Sequence, residues 1–427
     1  MQFAICGSRP DASDSPAKLL EQSGLHWLKL GHEYFCHTAD PAKPVDWRKV
    51  EAAGIRVREV AREAGRADAE SLYLVTQEGR LFQRAHPDVP VLLDKGRYLV
   101  VSLDRRRADE IVQHGARFAL RPAARNEIVF ETLTRPHAPP AADQRIKGIV
   151  DAIDRASFAA VLTELARHPT RHSLSTHFQD AARQAADRLR LMGYQVSLEN
   201  VRIPGGNTLN VIADKRGLGD RGRSLALVCA HLDSVNHPED HSQPDDPAAP
   251  APGADDNASG SAGVLEIARV LKDRPIRNDL RLILFGGEEQ DLLGSQDYVR
   301  RLPAAERART KSVVNMDMIA VVNTRSPTVL LEGGPISKAT IAGLASAAHT
   351  YTTLRVNTSL KPHDSNHVPF IDAGMPAVLT IEGNDKANEN IHSANDTLNH
   401  IDHELALEIL RMNTAFVAGE VGEHSSS

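Results

Sequence analysis

Leu225-Ala226-Leu227-Val228-Cys229-Ala230-His231-Leu232-Asp233 is the stretch on which the reading of this chain turns. Its first six residues are continuously apolar, the pattern of a strand in a sheet covered on both faces. A histidine and an aspartate follow at once. Other apolar runs repeat the arrangement: Leu280–Phe285 leads into Gly286-Gly287-Glu288-Glu289, and Ser312–Met316 leads into Asp317. Ligands of open α/β sheets bind in the crevice beyond the carboxyl ends of the strands. These strand ends are therefore expected to deliver an imidazole and carboxylates to one edge. Asp255, in Gly253-Ala254-Asp255-Asp256-Asn257, and His392, in Ile391-His392-Ser393, are the remaining members. Any one of these residues alone would read as a polar cap on a strand. For all of them together a shared site is the better account.

Two imidazoles and several carboxylates, with no usable thiol, form a ligand set suited to a pair of zinc ions. Paired zinc sites hydrolyse amide bonds. Asp255 lies in a turn before a helix, where one carboxylate can face two metals. It could also cap that helix, but Asn257 is better placed for capping. Glu288 and Glu289 are adjacent and point in different directions, so one can ligate while the other holds water. Without a metal, two neighbouring buried glutamates would disfavour each other's ionisation. Asp233 stands two residues after His231, on the same side of an extended segment. It can accept the second N–H of that imidazole and fix its orientation.

These stretches resemble the M28-type family of co-catalytic zinc aminopeptidases, which includes leucine aminopeptidases secreted by bacteria and relatives of the glutamate carboxypeptidases. The likeness runs over roughly residues 145–420, a span good to a few residues. It is carried by His231-Leu232-Asp233-Ser234, Pro252 to Gly260, Phe285-Gly286-Gly287-Glu288-Glu289, Leu293-Gly294-Ser295, Asn315 to Ile319 and His392-Ser393. The resemblance implies that His231 and Asp317 hold one zinc and Glu289 and His392 the other. It further implies that Asp255 bridges them and that Glu288 is the general base. The implied substrate is a peptide with a free N-terminus. Family members often show Ser-Asp-His near the specificity pocket, whereas this chain has Ser365-Asn366-His367, which leaves the pocket charge open. With that ligand set complete, Asp364 and His367 read as pocket or structural residues. Asp396 is balanced between orienting His392 and capping the last helix.

Other readings remain. A glutaminyl cyclase resembles a one-metal variant on the same fold, but a full two-metal ligand set argues against it. A carboxypeptidase of the superfamily usually carries a long inserted domain between the Asp and His ligands, for which Asp317 to His392 leaves little room. A receptor or scaffold would have lost a ligand or the base, and nothing is missing.

The expected fold class is α/β, a mixed, largely parallel sheet sandwiched by helices, with a small N-terminal α+β domain. The boundaries are 1–135 for that domain, 136–143 for a linker, 144–422 for the catalytic domain and 423–427 for a disordered tail. In the first domain, strands are expected at Ser71–Thr76, Val89–Leu93, Arg97–Ser102 and Asn126–Glu131, with a helix from Asp104 to Gly115. No catalytic pattern appears there, and a regulatory or pro-domain role is the expectation. Proline marks the linker at Arg135–Ala142. The Pro- and Asp-rich loop from His237 to Pro252 carries His237 and His241, which are expected to be solvated.

The chain has 427 residues, 41% of them hydrophobic and 25% charged, an ordinary globular balance. Its net charge of −6 offers no basic footprint for nucleic acid. No segment is apolar over the length a membrane span needs, and no secretory signal is evident. Cytoplasm is the default location, with export if a signal was removed, and a monomer is expected. The three cysteines, Cys6, Cys36 and Cys229, make no disulfide framework. A Cys6–Cys36 pair is open at this stage, and Cys229 reads as a buried thiol.

Overall fold

The computed structural model describes the chain except Met1, Ala53, Arg221 and residues 9–15, 39–44, 63–71, 114–117, 238–244, 384–387 and 425–427. The chain divides into two compact units at Leu133/Thr134.

The first unit holds two sheets. Strands β1 (Gln2–Ser8), β2 (Leu25–Gly31), β3 (Glu33–Thr38), β4 (Ile55–Arg62) and β9 (Glu127–Thr132) lie in the order β9-β2-β3-β1-β4. Strands β5 (Leu72–Thr76), β6 (Val91–Lys95), β7 (Tyr98–Ser102) and β8 (Ala119–Pro122) form an antiparallel sheet in the order β6-β7-β5-β8. Tyr73, Val75, Leu99 and Val101 from this sheet pack on Phe82, Ala108, Ile111 and Phe118. The expected helix after Asp104 is present as Arg105–Gln113, and Asp104 Oδ1 accepts the Arg107 N–H at 2.8 Å. Gly115 lies outside the described residues. The first four strands were not anticipated, because their buried positions include His37, Thr38 and two cysteines rather than an alternating apolar pattern. Cys6 and Cys36 are buried and free.

The second unit is built on β10 (Gln195–Ile203), β11 (Gly206–Lys215), β12 (Leu225–His231), β13 (Asp279–Phe285), β14 (Thr310–Met316), β15 (Thr328–Gly333), β16 (Arg355–Ser359) and β17 (Ala377–Glu382). Their order is β10-β11-β13-β12-β14-β17-β15-β16. The centre, β13-β12-β14-β17, is parallel, β10 and β11 pair antiparallel with their neighbours, and β15 pairs antiparallel with β17 and parallel with β16. All seven residues of β12 are buried, as a strand covered on both faces requires. Leu227, Cys229, Ile283, Phe285 and Val313 turn one side of the sheet onto Tyr298, Val299 and Phe370. Truncating a ring such as Phe285 to alanine would cost about 3–5 kcal/mol. Helices Gly260–Leu271 and His403–Val421 pack on β12 and β14 and on each other.

Two helices, Gln144–Val150 and Arg155–Ala166, each capped by an aspartate, lead into this unit. The long helix Thr176–Leu191 starts at Ser175, whose hydroxyl accepts the Phe178 N–H, and stops before Gly193 in the left-handed region. The tail corrects one expectation. Glu423 pairs with Ile276 and the His424 N–H donates to the Pro275 carbonyl at 2.8 Å, so the chain is held through that point. Residues 425–427 lie outside the described part. No helix among the described residues is long and apolar enough to cross a membrane.

Candidate metal centre

The parallel strands end on one edge, and that is where the acids and imidazoles meet. His231 closes β12, Asp317 follows β14, and the Gly286–Glu289 turn follows β13. His231 Nε2 lies 3.2 Å from Asp317 Oδ1 and 3.2 Å from Asp256 Oδ1. Asp256 Oδ2 lies 3.0 Å from His392 Nε2, which is 3.3 Å from Glu289 Oε2. Asp256 is thus the carboxylate between the two imidazoles.

The sequence expectation named its neighbour. Asp255 faces away from the histidines. Its Oδ1 accepts the Ala320 N–H at 2.8 Å and its Oδ2 accepts from Asn388 Nδ2 at 2.9 Å. Ser259 also donates to Asp255 Oδ1, at 3.2 Å. Burial and the nearby Asp396 charge push the Asp255 carboxyl well above the usual range. Burial acts on Asp256 in the same direction, but hydrogen bonds and charge from His231 and His392 outweigh it and hold that carboxyl well below the usual range. The Asp256–Asn257 peptide bond is cis. Asn257 takes the capping role expected of it, its Oδ1 accepting the Gly260 N–H at 2.8 Å.

The turn that carries the two glutamates is held by Asp233. Its Oδ2 accepts N–H groups of Gly287 at 3.0 Å and Glu289 at 3.3 Å, and the Ser173 hydroxyl at 2.9 Å. The imidazole contact differs from expectation. His231 Nδ1 is 3.1 Å from the backbone carbonyl of Asp233 and 3.6 Å from its carboxylate, so the carbonyl orients the ring. Asp396 does neither of the jobs expected of it. Its carboxylate accepts the N–H groups of Asp255 and Asp256, at 3.0 and 2.9 Å, and the last helix is capped by Asp402. Burial, opposed by those two N–H donors, raises the Asp396 carboxyl to about 7.

Further supports come from residues to which the sequence assigned no such role. The fully buried Arg171 guanidinium donates to the carbonyls of Leu232, Leu165, Pro252 and Gly253. It ties the His231–Asp233 segment to the loop before Asp256. Gly253 in that loop has φ +53°, and an added Cβ would meet the Asp256 carbonyl. Ser365 donates to Asp317 Oδ2 at 2.7 Å and accepts from Asn315 Nδ2 at 2.8 Å. The serine of Ser365-Asn366-His367 therefore positions an acid, while His367 is fully buried near Glu332, as a structural residue should be. Asp364 adds negative charge near Glu288. His237 is a further correction. It is buried beside His392, with ring centroids 4.7 Å apart, rather than solvated. His241 lies outside the described residues.

The donor set fits divalent cations. Three groups bring one ligand atom per residue within 4.8 Å of one another: His231 with Asp256 and Asp317, His231 with Glu288 and Glu289, and His237 with Glu289 and His392. Burial pushes Glu288 and Glu289 well above the usual carboxylate range; charges from Asp317 and Asp233 add to it for Glu288, and those of Asp256 and Glu288 for Glu289. Glu289 Oε1 and His392 Nδ1 are buried and accept or donate no hydrogen bond among the described residues. Such a concentration of buried carboxylates calls for cations. His392 itself has φ +54° and Met318, after Asp317, φ +46°, the kind of backbone outlier that gathers at functional sites.

Residues 210–417 match peptidase family M28. This segment belongs to that family. Aminopeptidase YwaD of Bacillus subtilis (strain 168) is 30% identical over 201 residues, 46% of this chain and 41% of the relative. The chain spans about two fifths of the length of the first curated relatives it matches. Among solved structures, the LapA aminopeptidase of Legionella pneumophila has a TM-score of 0.57 at 17% identity, over 83% of this chain and 99% of that one. A glutaminyl cyclase of Porphyromonas gingivalis has a TM-score of 0.50 at 19% identity, over 63% and 99%. At these identities the structural likeness is one of fold. The peptidase unit has the mixed sheet between helices that the strand pattern led us to expect.

Proposed function

We propose that the peptidase unit hydrolyses peptide bonds with two zinc ions and releases N-terminal amino acids. The observation that carries the reading is Asp256, with one carboxylate oxygen 3.2 Å from His231 and the other 3.0 Å from His392. His231 and Asp317 complete one metal position, and Glu289 and His392 the other. Bound there, a zinc pair would polarise the scissile carbonyl and acidify a water. Glu288 is half-buried, ligates neither ion in this assignment and lies with His231 and Glu289 at the edge of the cluster. It takes the proton of the attacking water and returns it to the leaving amine. Asp233 keeps Glu288 aimed by gripping the backbone of its turn.

The free amine of a peptide docks beside one metal position, which makes the N-terminal bond the one that is cut. A panel of aminoacyl-nitroanilides and N-blocked peptides, run on protein of measured zinc content, tests the proposal. Hydrolysis of unblocked substrates with about two equivalents of zinc is expected, a paired site by design. Cyclisation of N-terminal glutamine with one equivalent would replace this reading by the cyclase.

A further inference from the structure

The loop after β12 brings a third imidazole to the cluster. His237 is buried, and one of its nitrogens lies within 4.8 Å of ligand atoms on Glu289 and His392. Its ring meets that of His392 at 76°, with centroids 4.7 Å apart. Its backbone N–H donates to the His392 carbonyl at 3.0 Å, which ties the two residues together. Asp245, on the far side of the same loop, accepts a hydrogen bond from His237 Nδ1. A carboxylate on one ring nitrogen is the arrangement that fixes a metal-binding imidazole and raises its basicity, leaving Nε2 to ligate.

From this geometry we infer that His237 is a fourth protein ligand at the metal position of Asp256, Glu289 and His392, with Asp245 orienting it. The inference rests on the two-zinc reading above and deepens it. The two positions then differ in kind. The position of His231, Asp317 and Asp256 keeps three protein donors and stays open. The other carries four, the count of closed zinc sites. It holds its ion more tightly, and a substrate amine is left to dock nearer the open position. The loop from His237 to Pro252 thereby acts on metal retention.

The test uses the full chain and zinc alone. Apo protein is titrated against a chromophoric zinc chelator, for the wild type, His237→Ala and Asp245→Asn. Wild type should show two sites. His237→Ala should lose affinity at one site by about 100-fold, and Asp245→Asn by about 10-fold, the span expected for removing a ligand and its orienting partner. The other site should stay within a few-fold in both. Cobalt(II) in that one position should change its visible spectrum in His237→Ala.

X-ray absorption at the zinc edge of the loaded wild type provides a check independent of how the variants fold. It should count three imidazoles shared by two ions. Two shared by two, or equal losses at both sites of His237→Ala, would overturn the assignment while leaving the two-zinc reading intact. A wild type that binds fewer than two ions would overturn both.

Discussion

The two units differ in how densely they gather buried charge. In the first unit buried polar side chains are scattered and of mixed sign. Gln77, fully buried, donates to the Gly96 carbonyl and accepts the Phe82 N–H, both at 2.9 Å, and Arg97 faces Glu78. In the peptidase unit, by contrast, Asp256, Glu289 and Asp317 converge on His231 and His392 with too few cationic partners for their charge. Buried networks that satisfy themselves serve the fold. A buried cluster of like charges that does not is the mark of a group still to be bound, and it supports the proposal that the second unit holds the metal centre.

The sharpest way to break the comparison is to remove the base and no ligand. Glu288→Gln should lower turnover by about 10²–10⁴-fold while zinc content stays at the wild-type value. Retention of more than about a tenth of the rate, far above that range, would show that the proton is handled elsewhere.

Next in size is the contrast between neighbours. Asp256→Asn should weaken zinc binding at both positions, because each carboxylate oxygen faces one of the histidines. Asp255→Asn should keep both ions. It places an amide donor against the N–H of Ala320 or the amide of Asn388 and should cost about 1–3 kcal/mol of stability. Zinc titration and chemical denaturation of the pair separate the two roles. The opposite assignment predicts the reverse pattern.

Acid sharpens the difference within the first unit. Burial holds His37 down to about 4, and its unfolded form titrates near 6.5. Between these values the unfolded chain takes up a proton that the folded unit refuses. The stability His37 contributes is therefore complete above about 6.5 and drains away as pH falls towards 4. Replacing it by an uncharged residue of similar size should flatten that part of the stability curve, measured by denaturant unfolding over pH 4–7.

The smallest effect should come from deleting the first unit. We propose that it is separable from catalysis, since every residue of the metal centre lies after Thr134. Residues 134–427, produced alone, should hydrolyse aminoacyl-nitroanilides at the full-chain rate or faster if the unit restrains it. A folded, zinc-loaded fragment without activity would make the first unit part of the active machinery.

The parts that were legible in the sequence are those with strong periodicity or a polar residue at an apolar strand's end. Leu225–Ala230 and Leu280–Phe285 read as buried strands because they are almost wholly apolar, and they lie within the observed Leu225–His231 and Asp279–Phe285; His231 and Asp317 stood out against that background. The β10–β11 hairpin was overlooked because β10 is an edge strand with exposed and half-buried positions, and its Pro204-Gly205 turn was not recognised. Asp255 and Asp256 are adjacent acids in a turn, and periodicity does not say which one faces the cleft. His237 and Arg171 were hidden for another reason. Their partners lie far away in the chain, at His392 and at Leu232 to Gly253, and such contacts leave no local pattern.

The central claim is that two metal ions share Asp256. Anomalous diffraction at the zinc absorption edge, from crystals of the full chain grown with zinc, tests it most directly. Two peaks are predicted, one beside His231 and Asp317 and one beside Glu289 and His392, with an Asp256 oxygen at about 2.0–2.2 Å from each. A single peak, or two peaks bridged by Asp255, would contradict it.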